Sequence, residues 1–214
     1  MNPYFVWEPY EPGSGWRPFA QLLEPDVVAE RVGVSRQALT AMFGLAEAAV
    51  PERVVASVLF LGWASRLVAP PLSDALGGPV RGAGPADLWW RPVPGGPLPV
   101  AAREVPPRPA AELFDVAILG LVAPLAEVFG ARFRLSPHVL WGNVASALGG
   151  AAGQLGADAW PIVAGLLTRP PLAGMATVEG QALRRHNCCL YYRIPGAGTC
   201  GDCVLRRAPG PADG

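Results

Sequence analysis

The strongest feature of the hydrophobic pattern is an apolar run at residues 52–69, which has no polar face and therefore predicts a buried helix. Its uncharged core, residues 54–65, falls well short of the roughly 20 residues that a membrane-spanning helix needs. Pro70-Pro71 is expected to end the helix. Its inner arginine, Arg66, is expected to extend its charge to the surface, and a pocket for an anionic ligand is the alternative.

Three further segments have the apolar periodicity of helices. Residues 110–130 predict a long helix and residues 157–167 a shorter one. Between them, a helix is predicted to begin at Ser136-Pro137 and to end before Gly149-Gly150, because serine is a favoured N-cap and proline a favoured first helical residue. Within it, Asn143 is expected to be a buried, hydrogen-bonded amide; a polar contact near a metal site or ligand is the alternative.

Residues 25–48 contain a pattern typical of a helix-turn-helix DNA-binding motif, with a glycine turn at Gly33 and a second helix capped by Ser35. The alternative is two short amphipathic helices joined by a turn. Acidic residues offset the two arginines of the segment, Arg31 and Arg36, whereas binding to phosphate groups requires a basic face. The charge pattern therefore disfavours DNA binding.

The proline- and glycine-rich segments are predicted to contain little regular structure. Residues 1–24 predict an irregular arm or short strand packed on the body. Two extended segments, residues 88–91 and 98–101, flank a Pro-Gly-Gly-Pro turn and predict a hairpin, which its prolines should confine to a sheet edge. Trp89 and Trp90 point to opposite faces of a strand, so one belongs in the core and the other is free for a ligand or partner.

The predicted elements together indicate a protein of the α+β class, mainly α, in which a helical body carries a short edge hairpin, and composition is compatible with a packed protein. Half of the residues are apolar (51%) and few are charged (16%), which excludes a disordered chain. The length is sufficient for a sizeable core. Because the formal net charge is zero, no overall field attracts the protein to nucleic acid or to an anionic membrane.

All four cysteines lie in one stretch near the C-terminus with the spacing C-C-x10-C-x2-C. The N-terminus lacks the basic and apolar regions of an export signal, so we expect a cytoplasmic protein with reduced thiols. Grouped thiols in that compartment indicate metal ligands and not disulfides. Cys200 and Cys203 have the spacing of a zinc knuckle, but the adjacent Cys188 and Cys189 do not. A two-iron cluster has two ligand positions on each metal and is favoured, while zinc stays open.

The same stretch carries a family resemblance. Arg-Arg-x-x-Cys-Cys-Leu-x-Tyr-Arg at residues 184–193, followed by Cys-Gly-Asp-Cys, resembles the C-terminal [2Fe–2S] domain of the ferric-siderophore reductases of the FhuF type. Residues 61–67 and 140–145 resemble the family more weakly. Val204 replaces the proline that is common after the last cysteine, a departure that should not affect ligation. The resemblance implies a [2Fe–2S] cluster whose metal ligands are Cys188, Cys189, Cys200 and Cys203.

The resemblance further implies an oxidoreductase, a ferric-siderophore reductase that transfers one electron by an outer-sphere route and releases Fe(II) in the cytosol. No catalytic residue separate from the cluster is expected. The G-x-G-x-x-G at residues 196–201 is followed by too few residues for a dinucleotide fold, so an external electron donor, a ferredoxin or a reductase, is expected. Peripheral membrane association is compatible with this assignment. The alternative is an iron- or redox-sensing regulatory or interaction protein with a cysteine-ligated cluster or structural zinc.

Positive charge is concentrated around the cysteines. Residues 184–207 contain five arginines and one aspartate, a net charge of +4 in a neutral protein. Arginine near thiolates favours their ligating form and raises a cluster's potential, and a basic surface attracts anionic substrates or electron-transfer partners. We therefore expect a substrate or donor docking role for Arg184, Arg185 and Arg193, and solvated side chains for Arg206 and Arg207.

The predicted organisation has three parts. Residues 1–178 form the helical body with its N-terminal arm and short hairpin. Residues 179–207 form the small C-terminal iron–sulfur cluster-binding segment. Residues 208–214 are expected to be a disordered tail.

Overall fold

A computed structural model describes residues 2–13 and 15–205. Among these residues the protein is mainly α with a small sheet, as the sequence predicts. The α-helices are α1 (Pro25–Phe43), α2 (Glu52–Gly77), α3 (Ala123–Phe133), α4 (Pro137–Leu155) and α5 (Ala159–Leu166). The strands are β1 (Glu8–Pro9), β2 (Arg17–Pro18), β3 (Leu88–Trp90), β4 (Val100–Ala102), β5 (Ala176–Glu179) and β6 (Ala182–Arg185).

Helix α2 forms the centre of the core, because it is apolar on nearly every side and most of its residues are buried. Phe60 and Trp63 of α2 pack on Phe129 of α3, with ring centroids 5.3 Å and 5.5 Å apart. Helix α4 packs along α2 and buries the small and aliphatic side chains of its own apolar face. The core therefore places α2 and α4 side by side.

The prediction that α2 ends at Pro70-Pro71 is wrong, since the helix continues through both prolines to Gly77. A proline inside a helix cannot donate a hydrogen bond to the carbonyl four residues earlier, which here is that of Arg66. The indole Nε1 of Trp7 donates to this carbonyl oxygen at 2.8 Å. The N-terminal arm thus satisfies the acceptor that Pro70 leaves open.

Arg66 neither reaches the surface nor lines an anion pocket, so both expectations for it are wrong. The side chain is buried and donates to four backbone carbonyl oxygens at 2.9–3.2 Å, those of Pro3, Tyr4, Val6 and Leu98. Burial lowers the pKa of its guanidinium, and Tyr4 and Glu8 oppose this shift. Arg66 fastens the N-terminal arm to α2.

The hairpin of β3 and β4 is confirmed, with Leu88 opposite Ala102 and Trp90 opposite Val100. Its predicted edge position is wrong, because the sheet order is β1-β4-β3-β2 and the N-terminal arm covers both sides of the hairpin. The arm's two strands are only two residues each, which is compatible with their prolines. Trp90 is fully buried, and Trp89 stacks on Tyr10 at 3.7 Å between ring centroids.

Helix α1 is continuous from Pro25 to Phe43, so the prediction of two helices joined at Gly33 is wrong. Both Gly33 and Ser35 lie within the helix. The helix ends instead at Gly44, whose φ of +62° favours glycine. Val28 and Val32 are fully buried, and this burial outweighs the helix penalty of about 1 kcal/mol for Gly33, which directly follows Val32. The helix-turn-helix geometry is absent from this described segment.

The other predicted helices are present with changed limits. The segment 110–130 is divided into a 3-10 turn (Ala110–Glu112), a π-helix (Phe114–Val122) and α3. Helix α4 begins as predicted, with Ser136 Oγ accepting from the backbone N–H of Val139 at 3.4 Å, but it continues past Gly149-Gly150. Helix α5 lies within the predicted range 157–167.

Two helices, Glu52–Gly77 and Ala110–Phe133, are long and apolar enough to cross a membrane by length and composition alone. The apolar windows of these helices are 72% and 50% buried inside the protein, and core helices pass the same test. Helix α2 is longer than the sequence predicts, because it continues past Pro70 to Gly77.

The chain reaches the cysteines through a second hairpin, β5 and β6, which packs on α4. The predicted boundary between residues 178 and 179 falls inside β5. Arg206, Arg207 and the predicted disordered tail 208–214 lie outside the described residues.

Candidate metal centre

Glycines on one face of α4 allow the second hairpin to approach the helix closely. A Cβ atom at Gly142 would lie 1.9 Å from Oδ1 of Asn187, and one at Gly149 would lie 2.8 Å from Cβ of Leu183. These glycines are seven residues apart, two helical turns, and therefore lie on the same face. The close approach brings the end of β6, and the cysteines that follow it, against α4.

The cysteine loop, which we define as residues 186–203, turns back on itself between the two cysteine pairs. Leu190 has a left-handed φ of +70°, and its backbone N–H donates to Cys188 Sγ at 3.3 Å. Gly196 and Gly198, with φ of +81° and +76°, adopt conformations that glycine accommodates without strain. The turn at Cys200 closes with a hydrogen bond from Cys203 N to Cys200 O at 3.3 Å.

Two helices hold the cysteine loop by side-chain hydrogen bonds. Ser57 of α2 donates from Oγ to the backbone oxygen of Cys189 at 2.8 Å. Ser146 of α4 donates from Oγ to Oδ2 of Asp202 at 2.5 Å. Each cysteine pair is thus fixed to a different helix of the core. These two serines were not predicted, although a hydroxyl in the middle of the most apolar run is a signal for Ser57.

Two of the four thiols are in contact, and electrostatic effects connect the others to them. Sγ of Cys189 is 3.5 Å from Sγ of Cys200. Burial raises the pKa of the Cys188 thiol, and the neighbouring Cys189 and Cys203 raise it further, while Arg185 lowers it. Burial also raises the pKa of the Cys200 thiol strongly, followed by the effects of Cys189 and Asp202. Low-dielectric surroundings shared by several thiols favour a bound cation, because thiolates there need a counter-charge.

This donor set fits a [2Fe–2S] cluster. Two thiolates on one tetrahedral metal, with bonds of about 2.3 Å, lie about 3.8 Å apart, close to the 3.5 Å between Cys189 and Cys200. Within residues 2–13 and 15–205, no three Cys, His, Asp or Glu side chains are grouped as a single metal ion would require. A two-iron cluster needs only two cysteines on each metal, and the contact between Cys189 and Cys200 is compatible with one such pair.

A buried polar network connects the cysteine loop to α2 and α4. Nη2 of Arg185 donates to Oδ1 of Asn143 at 2.9 Å and to Oδ1 of Asn187 at 3.0 Å. Nδ2 of Asn143 donates to the backbone oxygen of Ser57 at 2.8 Å and to its Oγ at 3.0 Å. Asn143 is therefore the buried, hydrogen-bonded amide that the sequence predicts, and it also provides the polar contact near the metal centre.

The three arginines expected to dock a substrate or donor have different environments. Arg184 is exposed, with Nη1 4.0 Å from Oε1 of Glu179. Arg193 is fully exposed, and its pKa is raised by the hydrogen bond from its Nε to the hydroxyl of Tyr192, with a smaller effect of Cys188. Arg185 is only 1% exposed and cannot contact a docked molecule, so it is removed from the expected docking surface.

Comparison with known proteins agrees with this site. Residues 185–205 match the family model described as the FhuF 2Fe-2S C-terminal domain. The match contains all four cysteines, and it is consistent with the FhuF-type family. No curated protein matches the chain. The metal centre is therefore a [2Fe–2S] centre. Its ligation by Cys188, Cys189, Cys200 and Cys203 stays a prediction.

Proposed function

We propose that this protein is a ferric-siderophore reductase that reduces chelated Fe(III) to Fe(II) in the cytoplasm. The observation that carries the proposal is the match of residues 185–205 to a [2Fe–2S] domain of this reductase type, with all four thiols grouped in one loop. A bound cluster with four cysteine ligands has no open coordination position, so it supplies outer-sphere transfer of one electron.

The burial of the thiols supports electron exchange at the protein surface. Cys189 and Cys203 are buried, 3% and 7% exposed, against the helices. Cys188 and Cys200 are only partly buried. An electron acceptor can therefore approach one part of the metal centre without entering the protein, which suits a chelate too large for a deep pocket.

The proposed docking surface consists of Arg184, Tyr192 and Arg193. Both arginines are exposed, and Tyr192 is 44% exposed and accepts a hydrogen bond from Nε of Arg193 at 3.3 Å. Two positive charges and an aromatic ring suit an anionic metal chelate with aromatic or amide groups. Charge attraction of this kind raises the association rate more than the affinity, so binding is expected to weaken as salt concentration increases.

In each cycle one electron enters the protein from the donor and leaves it to Fe(III), and no proton transfer is needed. An external donor, a ferredoxin or a reductase, gives one electron to the protein. The protein passes this electron on to the chelated Fe(III), and the product Fe(II) leaves because a siderophore holds Fe(II) more weakly than Fe(III). Peripheral association with a membrane, where imported chelates arrive, is compatible with the proposal.

The test is anaerobic purification followed by iron, sulfide and zinc analysis, absorption spectroscopy and mixing with ferric siderophores. We expect a red-brown protein whose reduced form is reoxidised by the chelate as a chromogenic Fe(II) chelator traps the product. Cys203→Ser should lose this reaction, because it removes one ligand. A colourless protein with one zinc per chain, or full chelate reduction by Cys203→Ser, would refute the proposal.

A further inference from the structure

Arg185 is a buried cation with no anionic partner among the described residues. Its side chain is 1% exposed, and its hydrogen-bond acceptors are the neutral amides of Asn143 and Asn187. Its Nε and Nη1 have no partner within the described chain. None of the ion pairs in residues 2–13 and 15–205 includes Arg185.

An unpaired buried charge is among the most destabilising features that a protein can contain. A guanidinium keeps its charge in proteins, so Arg185 cannot escape this cost by releasing a proton. The N–H groups left open on Nε and Nη1 add the cost of unsatisfied buried donors. Such an arrangement persists only if another part of the functional protein compensates for it.

Among the described residues, the thiols of the cysteine loop can supply the opposite charge, and Arg185 acts electrostatically on the nearby Cys188. Two ferric ions, their sulfides and four thiolates carry a net negative charge, which increases by one on reduction. Arg185 ends strand β6, and Asn187, which accepts its hydrogen bond, directly precedes Cys188. On the other side, Asn143 and Ser57 connect Arg185 to the backbone oxygen of Cys189.

We infer that Arg185 is the internal counter-ion of the metal centre: it makes cluster binding stabilise the fold and favours the reduced over the oxidised centre. The positive charge of Arg185 is attracted to the metal centre in both redox states, and more strongly to the more negative reduced state. Without the cluster, the positive charge of Arg185 has no counter-charge among the described residues and lowers the stability of the folded protein. The inference concerns the metal centre alone and holds for any electron acceptor.

Two substitutions and a neighbouring control test this inference in the full chain. Arg185→Met keeps most of the bulk and removes the charge, and Arg185→Gln also keeps an amide donor for Asn143. Arg184→Met removes a charge from the preceding, exposed position of the same strand. The readouts are the midpoint of a redox titration followed by electron paramagnetic resonance, the rate of cluster loss to an iron chelator, and urea unfolding of the cluster-free protein.

Both Arg185 variants are expected to lower the ratio of reduced to oxidised centre at a given potential about tenfold, a 59 mV shift for a one-electron couple. Cluster loss should accelerate about tenfold, whereas the cluster-free variants should unfold at the same or higher urea concentration than the cluster-free wild type. Arg184→Met should change all three readouts much less. An unchanged midpoint potential in either Arg185 variant, equal shifts in Arg184→Met, or failure of both cluster-free Arg185 variants to fold would overturn the inference.

Discussion

Replacement of Gly142 by alanine tests whether the close approach of the cysteine loop to α4 forms the metal centre. The new Cβ would lie 1.9 Å from Oδ1, 2.2 Å from Nδ2 and 2.4 Å from Cγ of Asn187, where ordinary contacts are 3.4–4 Å. The Asn187 amide must therefore move by more than 1 Å, which breaks its hydrogen bond with Arg185. Overpacking costs about 1–3 kcal/mol, and loss of a charged hydrogen bond costs about 1.5–3 kcal/mol.

Alanine also favours a helix over glycine by about 1 kcal/mol, so we expect a net destabilisation of about 1.5–5 kcal/mol for Gly142→Ala. Gly150→Ala is the matched control, because a Cβ there meets no atom within 4 Å and only the helix preference remains. It should stabilise the protein by up to about 1 kcal/mol. Gly149→Ala should fall between them, because its Cβ would meet Cβ and Cδ1 of Leu183 at 2.8 Å, a smaller overlap than the 1.9 Å at Gly142 but one that the backbone-bound Cβ cannot relieve by rotation.

The assay is urea unfolding of the cluster-loaded proteins, followed by circular dichroism for the helices and by visible absorbance for the cluster. Gly142→Ala should lose its absorbance at a lower urea concentration than its helical signal, because Asn187 directly precedes the first cysteine. If Gly142→Ala and Gly150→Ala unfold and lose the cluster at the same urea concentration, the cysteine loop does not depend on contact with α4.

Two further predictions concern the N-terminal arm and the thiols. Trp7→Phe keeps an aromatic side chain but replaces the buried indole by a smaller ring and removes the N–H that the carbonyl oxygen of Arg66 accepts beside Pro70. It should destabilise the protein by at least about 1–3 kcal/mol in thermal or urea unfolding. An unchanged stability would mean that this carbonyl needs no protein donor. Because burial raises the pKa of the Cys188 and Cys200 thiols, both are protonated in the cluster-free protein near neutral pH and must release protons on binding metal. Cluster reconstitution followed by visible absorbance should therefore become faster as pH rises from 7 to 9, and a rate independent of pH would contradict this picture.

The sequence predicts the local features of this protein well, because local features depend on neighbouring residues. Ser136-Pro137 identifies the start of α4, and the Pro-Gly-Gly-Pro turn identifies the first hairpin. The spacing of the cysteines is sufficient to favour the [2Fe–2S] centre that the family match supports. Each of these signals lies within a few consecutive residues.

The sequence-based predictions fail where a segment that is distant in the chain determines where a helix ends or whether a side chain is buried. Pro70 fails to end α2 because the Trp7 indole satisfies the carbonyl that the proline leaves open. Gly33 fails to break α1 because Val28 and Val32 are buried on the same helix. Arg66 and Arg185 are interior residues for the same kind of reason, since their acceptors come from remote parts of the chain.

The hydrogen bonds from Ser57, Asn143 and Ser146 have a consequence for the order of biosynthesis. All three residues precede the cysteine loop, so during translation α2 and α4 leave the ribosome before the first thiol does. If α2 and α4 fold as they emerge, their hydrogen-bonding side chains are in position before the cysteine loop is synthesised. The helices that hold the cysteine loop can therefore form before the thiols that they position are synthesised.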